Sequence, residues 1–307
     1  MKNHLIFLFI FSLSIQNLLA QSKQVAITMD DLPFVMEISL EQTQQNTQKL
    51  LSHFQKYNMP VVGFVNEQKL IKLGELDARV ALLESWLKAG QPLGNHTFSH
   101  PDFNTTSLED YKVDFLKGEI IINQLCNKYN QTQKYFRFPF LHSGPDSLKK
   151  ADFEIFLKAQ GYENAPVTID NEDYIFNKAY VNAFKKKDHK TMQMVANAYL
   201  QYVSTMIDYH EELTQQVTGS PIRHIFLCHA NHINADYFDK VADLFQAKGY
   251  IFITLEAALQ DKVYQEPENY IGKGGFSWLH RWRMTKKLPF QGEEPEIPEE
   301  IMRLYNN

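Results

Sequence analysis

Cysteine is nearly absent: Cys126 and Cys228 are the only two in 307 residues, which excludes a disulfide-stapled scaffold. One bridge between them stays open in an oxidising compartment, with two free buried thiols as the alternative. Neither stands near the N-terminus, so no lipidated cysteine is expected there. Beyond residue 20 no run is long and apolar enough to span a bilayer, so no stable membrane insertion is expected of the mature chain. Basic residues gather into no patch and the net charge is −5, which argues against a nucleic-acid partner. Internal repeats and a low-complexity linker are also missing, so one domain is the economical reading. What is present is a high aromatic content, 22 Phe, 15 Tyr and 3 Trp, enough for a substantial core.

The first twenty residues differ from the rest. Lys2 precedes an apolar run from Leu5 to Ile15, then a polar break at Gln16-Asn17 and Leu18-Leu19-Ala20. That pattern predicts a signal peptide over 1–20, cleaved after Ala20, and an exported protein of the periplasm or extracellular space. An uncleaved anchor helix is the competing reading.

Short runs rich in Val, Ile and Phe alternate with longer amphipathic segments. Strands are expected at Val25–Met29, Val61–Asn66, Gln91–Asn95, Tyr135–Phe138, Ala165–Ile169, His224–Cys228 and Tyr250–Thr254. Their lack of polar alternation suits strands covered on both faces, as in a parallel sheet. Helices are expected at Leu40–Tyr57, Asp77–Ala89, Leu108–Tyr129, Ser147–Gln160 and Ala235–Lys248, with Gly90, Gly161 and Gly249 closing three of them. Ser107 with Asp110 offers a capping start. The fold class is therefore α/β, an α/β barrel or doubly wound sheet. A stretch from about 176 to 216 is too long for one crossover and is helical by its apolar spacing, so it reads as an insertion before the sixth strand. It could cover part of a substrate groove. The barrel domain is placed at 21–271 and a tail at 272–307.

Polar residues concentrate at the C-terminal ends of the strands, where α/β folds build their sites. Strand one ends in Asp30-Asp31, strand three in His96 with His100 four residues on. Strand four carries Arg137, strand five ends near Asp170 and Asp173, and strand six ends in His229. The two histidines suit a shared metal, although such a pair also arises in packing. Glu does not follow His96, and Pro101 places His100 on a turn and not in a helix. Two adjacent carboxylates need compensating charge: a bound cation serves one and Arg137 the other, with helix capping as the bland alternative. One Asp with two His leaves coordination positions open for water and substrate, as a catalytic site requires. His229 is a candidate general acid oriented by a carboxylate such as Asp173; alone it would read as a core histidine.

At these residues the sequence resembles the polysaccharide deacetylase family, carbohydrate esterase family four. Thr28-Met29-Asp30-Asp31 is similar to its first motif, Thr-Phe-Asp-Asp, and His96-Thr97-Phe98-Ser99-His100, preceded by Asn95, matches the second. Arg137-Phe138-Pro139-Phe140 resembles the third, Arg-x-Pro-Tyr. Asp170-Asn171-Glu172-Asp173-Tyr174 looks like the fourth, with Tyr174 where Trp is usual, and Leu227-Cys228-His229 like the fifth, Leu-x-His. The motifs span roughly Val25 to Leu255.

The resemblance implies a distorted (β/α) barrel of about seven parallel strands. It also implies a divalent metal, usually zinc, held by Asp31, His96 and His100. Asp30 is then the base, tethered by Arg137, and His229 the acid, oriented by Asp173. Phe140, Tyr174 and Leu227 face substrate, with a backbone N–H near Phe140 assisting the oxyanion. The expected substrate is an N-acetylated polysaccharide of peptidoglycan or chitin type; an O-acetyl polysaccharide esterase and a non-catalytic sugar-binding protein are the alternatives. His142 and His232 stand near motif residues in sequence, which leaves a place in the groove open to them. Packing is the commoner use of aromatics, so Trp278 and Trp282, with Gly274-Gly275, are expected to seal the barrel, with sugar binding as the alternative.

Overall fold

In the computed structural model, residues 22–132 and 134–306 are described; the expected signal peptide at 1–20 lies outside them. The chain runs β1 (Lys23–Leu32), α1 (Leu40–Lys56), β2 (Val61–Val65), α2 (Leu76–Lys88), β3 (Leu93–Asn95), α3 (Leu108–Lys117), α4 (Ile120–Lys128), β4 (Tyr135–Phe136) and α5 (Ser147–Ala159). It continues through β5 (Glu163–Asn164), α6 (Asp173–Lys185), α7 (His189–Thr218), β6 (Arg223–His229), α8 (His232–Ala247), β7 (Tyr250–Ile253), α9 (Leu255–Leu259), α10 (Trp278–Thr285) and α11 (Glu299–Asn306). All strand pairs are parallel, in the order β5-β4-β3-β2-β1-β6, with β7 pairing the start of β1.

The segment after β5 closes the ring. Glu163 and Ala165 donate to Lys134 and Phe136 of the β4 side, whereas Thr168 and Ile169 donate to Ile225 of β6. The change of partner explains why the strand expected at Ala165–Ile169 is reduced to Glu163–Asn164 and a single bridge, Ile169 to Phe226. Pro166, between the two pairings, has no N–H to extend either ladder. The result is a distorted (β/α) barrel.

Strand β1 shows how the two faces are used. Val25, Ile27 and Met29 join the main core with Leu50, Phe54, Phe238 and Phe245 of the surrounding helices. Ala26 packs inside with Val62, Phe64, Tyr135 and Ile225. Period-2 alternation then sends Thr28 and Asp30 to the same interior side. Both faces are covered, so β1 carries no hydrophobic-to-polar alternation until its end.

Two expectations are corrected. The helix expected over 108–129 breaks at Gly118, because the chain there presses on the turn after β3. A Cβ on Gly118 would stand 2.5 Å from the Thr97 carbonyl carbon. Nearby, the buried Glu67 carboxylate accepts the Ile122 N–H in the first turn of α4 at 2.8 Å. The segment expected as an insertion, about 176–216, forms the rest of α6 after its first turn and most of α7, and none of its residues lines the cavity described below. Val195, Tyr199, Val203 and Met206 of α7 are buried in the main core.

Trp278 and Trp282 pack with Leu141, Val167 and Leu227, which closes that side of the barrel. Among the described residues, no helix is long and apolar enough to cross a membrane.

Candidate active site

Asp30 and Asp31 are neighbours, and in a regular strand they would face opposite sides of the sheet. The β1–β2 register shifts between Met29 and Leu32, and Asp31 has φ +70°. This bulge turns both carboxylates toward one mouth, a device typical of strand ends beside functional sites. Asp30 pairs in register with His229 across β1 and β6.

His96 leaves β3, and His100 follows on a turn where Thr97 and His100 both have positive φ, +67° and +60°. The neighbours enforce this shape. Asp114 of α3 accepts the N–H groups of Phe98 and Ser99, both at 2.9 Å, and Asn66 donates to the His96 carbonyl at 2.6 Å. His96 Nδ1 lies 2.8 Å from the Arg137 carbonyl, which can only accept. The ring proton is therefore on Nδ1, and Nε2 keeps a free lone pair.

Asp31, His96 and His100 place one ligand atom each within 4.8 Å of one another. Asp31 Oδ1 is 3.8 Å from His96 Nε2 and 3.5 Å from His100 Nε2, spacings suited to ligands about 2 Å from one ion. Asp30 Oδ1 and Asp31 Oδ1 are buried without hydrogen-bond partners, a condition that a cation relieves. Lys69 Nζ stands 3.3 Å from Asp31 Oδ1 and makes no hydrogen bond to it; its hydrogen bond is to the Asp31 carbonyl, at 3.1 Å. The donor set fits a divalent metal.

Arg137 is fully buried inside the barrel. It donates Nε to the Ala165 carbonyl at 2.6 Å and Nη2 to Thr28 Oγ1 at 3.0 Å. Its Nη1 reaches Asp30 Oδ2 at 3.4 Å, and the guanidinium lies over the Phe64 ring. Burial pushes the Asp30 carboxyl up to about 6, with Arg137 and His229 limiting the rise. Burial works the same way on Asp31, but Lys69, His100 and His96 outweigh it and hold that carboxyl below the usual range. Burial keeps His96 neutral, as a metal ligand must be.

On the opposite wall, His229 Nδ1 is 2.6 Å from Asp173 Oδ1. Asp173 begins α6 and is fully buried. Its other oxygen accepts the His229 N–H at 2.9 Å and the amides of Asn231 and Asn234 at 2.8 and 2.7 Å. Tyr199 of α7 fixes Asn234 from behind at 2.7 Å. Burial alone would lower the His229 pKa, but Asp173 overrides it and raises the ring to about 10.

These groups surround a cavity of about 410 Å³, lined by Asp30, Asp31, His96, His100 and His229 together with Phe140, Tyr174 and Leu227. Phe140 sets its ring edge against His100, with centroids 4.5 Å apart. Tyr174 faces it from the other wall, beside His229. A wider depression of about 820 Å³ between α1 and α2 contains no histidine or carboxylate, so size alone does not mark the site.

The two histidines near motif residues in sequence are not among the lining residues. His142 pairs with Asp102 at 2.8 Å, and His232 is buried against Asn46 and the Met36 carbonyl. Their nearness in sequence does not carry over because α8 and the turn after Phe140 point them away. Conversely, Asp170, Asn171, Glu172 and Gly275 line the cavity. Asp170 is pushed up to about 8 by burial and by Glu172. Of these, Asp170, Asn171 and Glu172 stand inside the fourth motif, whereas Gly275 was marked only as part of the barrel seal and not as a cavity residue.

Residues 19–154 match the family model described as polysaccharide deacetylase. The chain is 24% identical over 237 residues to a peptidoglycan-N-acetylglucosamine deacetylase of Bacillus cereus, covering 77% of this chain and 68% of that one. It is 25% identical over 249 residues to a chitin deacetylase of Colletotrichum lindemuthianum, covering 80% and 82%. The solved structure of the chitin deacetylase from that fungus superposes with a TM-score of 0.50 at 23% identity, over 82% of this chain and 92% of that one.

Proposed function

We propose, from the match of residues 19–154 to the polysaccharide deacetylase family model and from the site geometry, that the protein is an exported, metal-dependent enzyme that hydrolyses N-acetyl groups of an amino-sugar polysaccharide. The observation that carries the reading is one arrangement. Asp31, His96 and His100, close enough to share one ion, line the same cavity as a buried carboxylate, Asp30, and as His229, which pairs with Asp30 in register across β1 and β6. Fold alone would not support this, because function resides in the site.

Asp31, His96 and His100 would hold the metal, with zinc the ion that this donor set favours. When bound, the ion supplies Lewis acidity toward the acetyl carbonyl and toward water. Asp30 takes the proton of the attacking water, and Arg137 holds its carboxylate in place. His229 gives its proton to the departing amine. With Asp30 near 6 and His229 near 10, base and acid are both in their working protonation states across neutral pH. The Phe140 backbone amide stabilises the oxyanion of the tetrahedral intermediate. Phe140, Tyr174 and Leu227 form the apolar walls that receive the sugar. Export is supported by Lys2 and the apolar run Leu5 to Ile15.

Acetate release from N-acetylglucosamine oligomers, measured before and after chelation and zinc restoration, tests the reading. His96→Ala is expected to lose bound zinc and acetate release together. Undiminished release by metal-free protein would sink the mechanism.

A further inference from the structure

We propose that the strap from Glu268 to Arg281 clamps the Phe140–Leu141 turn over the cavity, with Gly275 and Arg281 as positioning residues. The inference rests on the deacetylase reading above, and it concerns chain beyond residues 19–154.

The turn needs a clamp. Phe140 and Leu141 are consecutive non-glycine residues at φ +57° and +54°, in the left-handed region. Side chains of this size rarely stay there unless surrounding structure over-determines them. Their own chain supplies two hydrogen bonds, Leu141 N–H to the Phe138 carbonyl and His142 N–H to the Pro139 carbonyl. The strap supplies the rest.

Gly275 lies flat against the turn. A Cβ there would stand 1.9 Å from the Phe140 carbonyl oxygen, so only glycine permits this approach, and Gly275 itself lines the cavity. Arg281 is fully buried. It donates Nη2 to the Leu141 carbonyl and Nη1 to Ser143 Oγ at 2.8 Å, while Nε holds the strap's own Phe276 carbonyl at 2.8 Å. The guanidinium packs on Trp278, 4.1 Å from the ring centre. Glu268 balances the charge, 3.7 Å from Arg281 and 2.6 Å from Lys150.

The strap also reaches the other site loop. Asn104, four residues past His100, donates to the Lys273 carbonyl at 3.2 Å. One segment thus ties the turn after the second metal-ligating histidine to the turn that carries Phe140. The bonds that shape the Asp31, His96 and His100 cluster come from Asp114, Asn66 and Arg137, none of which belongs to the strap. Loosening the strap should therefore lower turnover and leave metal binding intact.

Gly275→Ala and Gly274→Ala provide the test. An added Cβ at 275 meets backbone, whereas at 274 it meets the Phe276 ring, which can swing away. Zinc content, kcat and KM are measured for each on N-acetylglucosamine oligomers. Gly275→Ala is expected to lose at least 30-fold in kcat with KM within threefold and one zinc retained per chain; Gly274→Ala should stay within threefold of wild type. Arg281→Lys should recover part of the kcat that Arg281→Met loses, because an ammonium still reaches one acceptor. Wild-type kcat in Gly275→Ala, equal losses at 274 and 275, or loss of zinc in Gly275→Ala would each overturn the proposal. If the wild-type protein itself releases no acetate, the deacetylase reading fails first and separately.

Discussion

Replacing Asp173 by Asn probes the acid side of the site with little change of shape. The native carboxylate accepts four hydrogen bonds, from the His229 ring, the His229 N–H, Asn231 and Asn234. An amide removes the negative charge and turns a donor toward groups that are themselves donors. The His229 pKa, raised from 6.5 to about 10 chiefly by Asp173, should fall back toward its ordinary value.

With a pKa near 6.5, only about 3% of the rings would be protonated at pH 8, against nearly all in the native protein. Acetate release should therefore drop roughly 30-fold near pH 8 and less than about twofold near pH 6 from this cause alone. Breaking a buried ion pair also destabilises, by about 3–5 kcal/mol, so absolute rates would mix two effects. The ratio of rates at the two pH values, measured on one preparation, separates them. The stability term has its own sign. Because the folded pKa is raised, the contribution of His229 is complete below 6.5 and is lost as pH climbs toward 10. Native melting temperature should decline across that window, and Asp173→Asn should flatten the decline. An unchanged alkaline limb in Asp173→Asn would refute His229 as the acid held charged by Asp173.

Other outcomes follow from the same geometry. Asp30→Asn is expected to keep bound zinc yet lose at least about 100-fold in acetate release, since it removes the base and spares the ligand triad; loss of zinc would show the two aspartates' roles reversed. Gly118→Ala drives a Cβ into the Thr97 backbone, so zinc affinity should weaken and thermal stability should fall by about 1–3 kcal/mol, readable by competition with a chelator and by melting. Cys126 and Cys228 are free and buried, and burial raises both thiol pKa values; a thiol reagent should label neither in the native protein and both after denaturation.

Much of the barrel was legible because its cause is local. The strand runs had to be apolar on both faces, and the helix starts had to satisfy their first N–H groups. Ser107 shows the second point: its hydroxyl accepts the Asp110 N–H at 3.1 Å and donates to the Asp110 carboxylate at 2.6 Å. The fifth strand was misplaced because its ladder depends on two partners distant in sequence, β4 and β6. The break at Gly118 was missed for a related reason: a helical pattern does not reveal that another loop needs the space.

The sequence by itself determined which residue types stand at the strand ends, because only there does a buried strand tolerate Asp, His and Arg. It also determined the spacing that matches the family motifs. Tertiary structure decided how those residues are used. A bulge at Asp31 brings adjacent carboxylates to one mouth, and Arg137 passes through the barrel to reach Asp30. Asp173, separated from His229 by the whole of α7, gains its charge coupling only when α6 folds back on β6. Gly275 acquires meaning only because Phe140, 135 positions earlier, lies against it. Electrostatics and steric contact act through space over a few ångströms, and the order of residues along the chain does not record those distances.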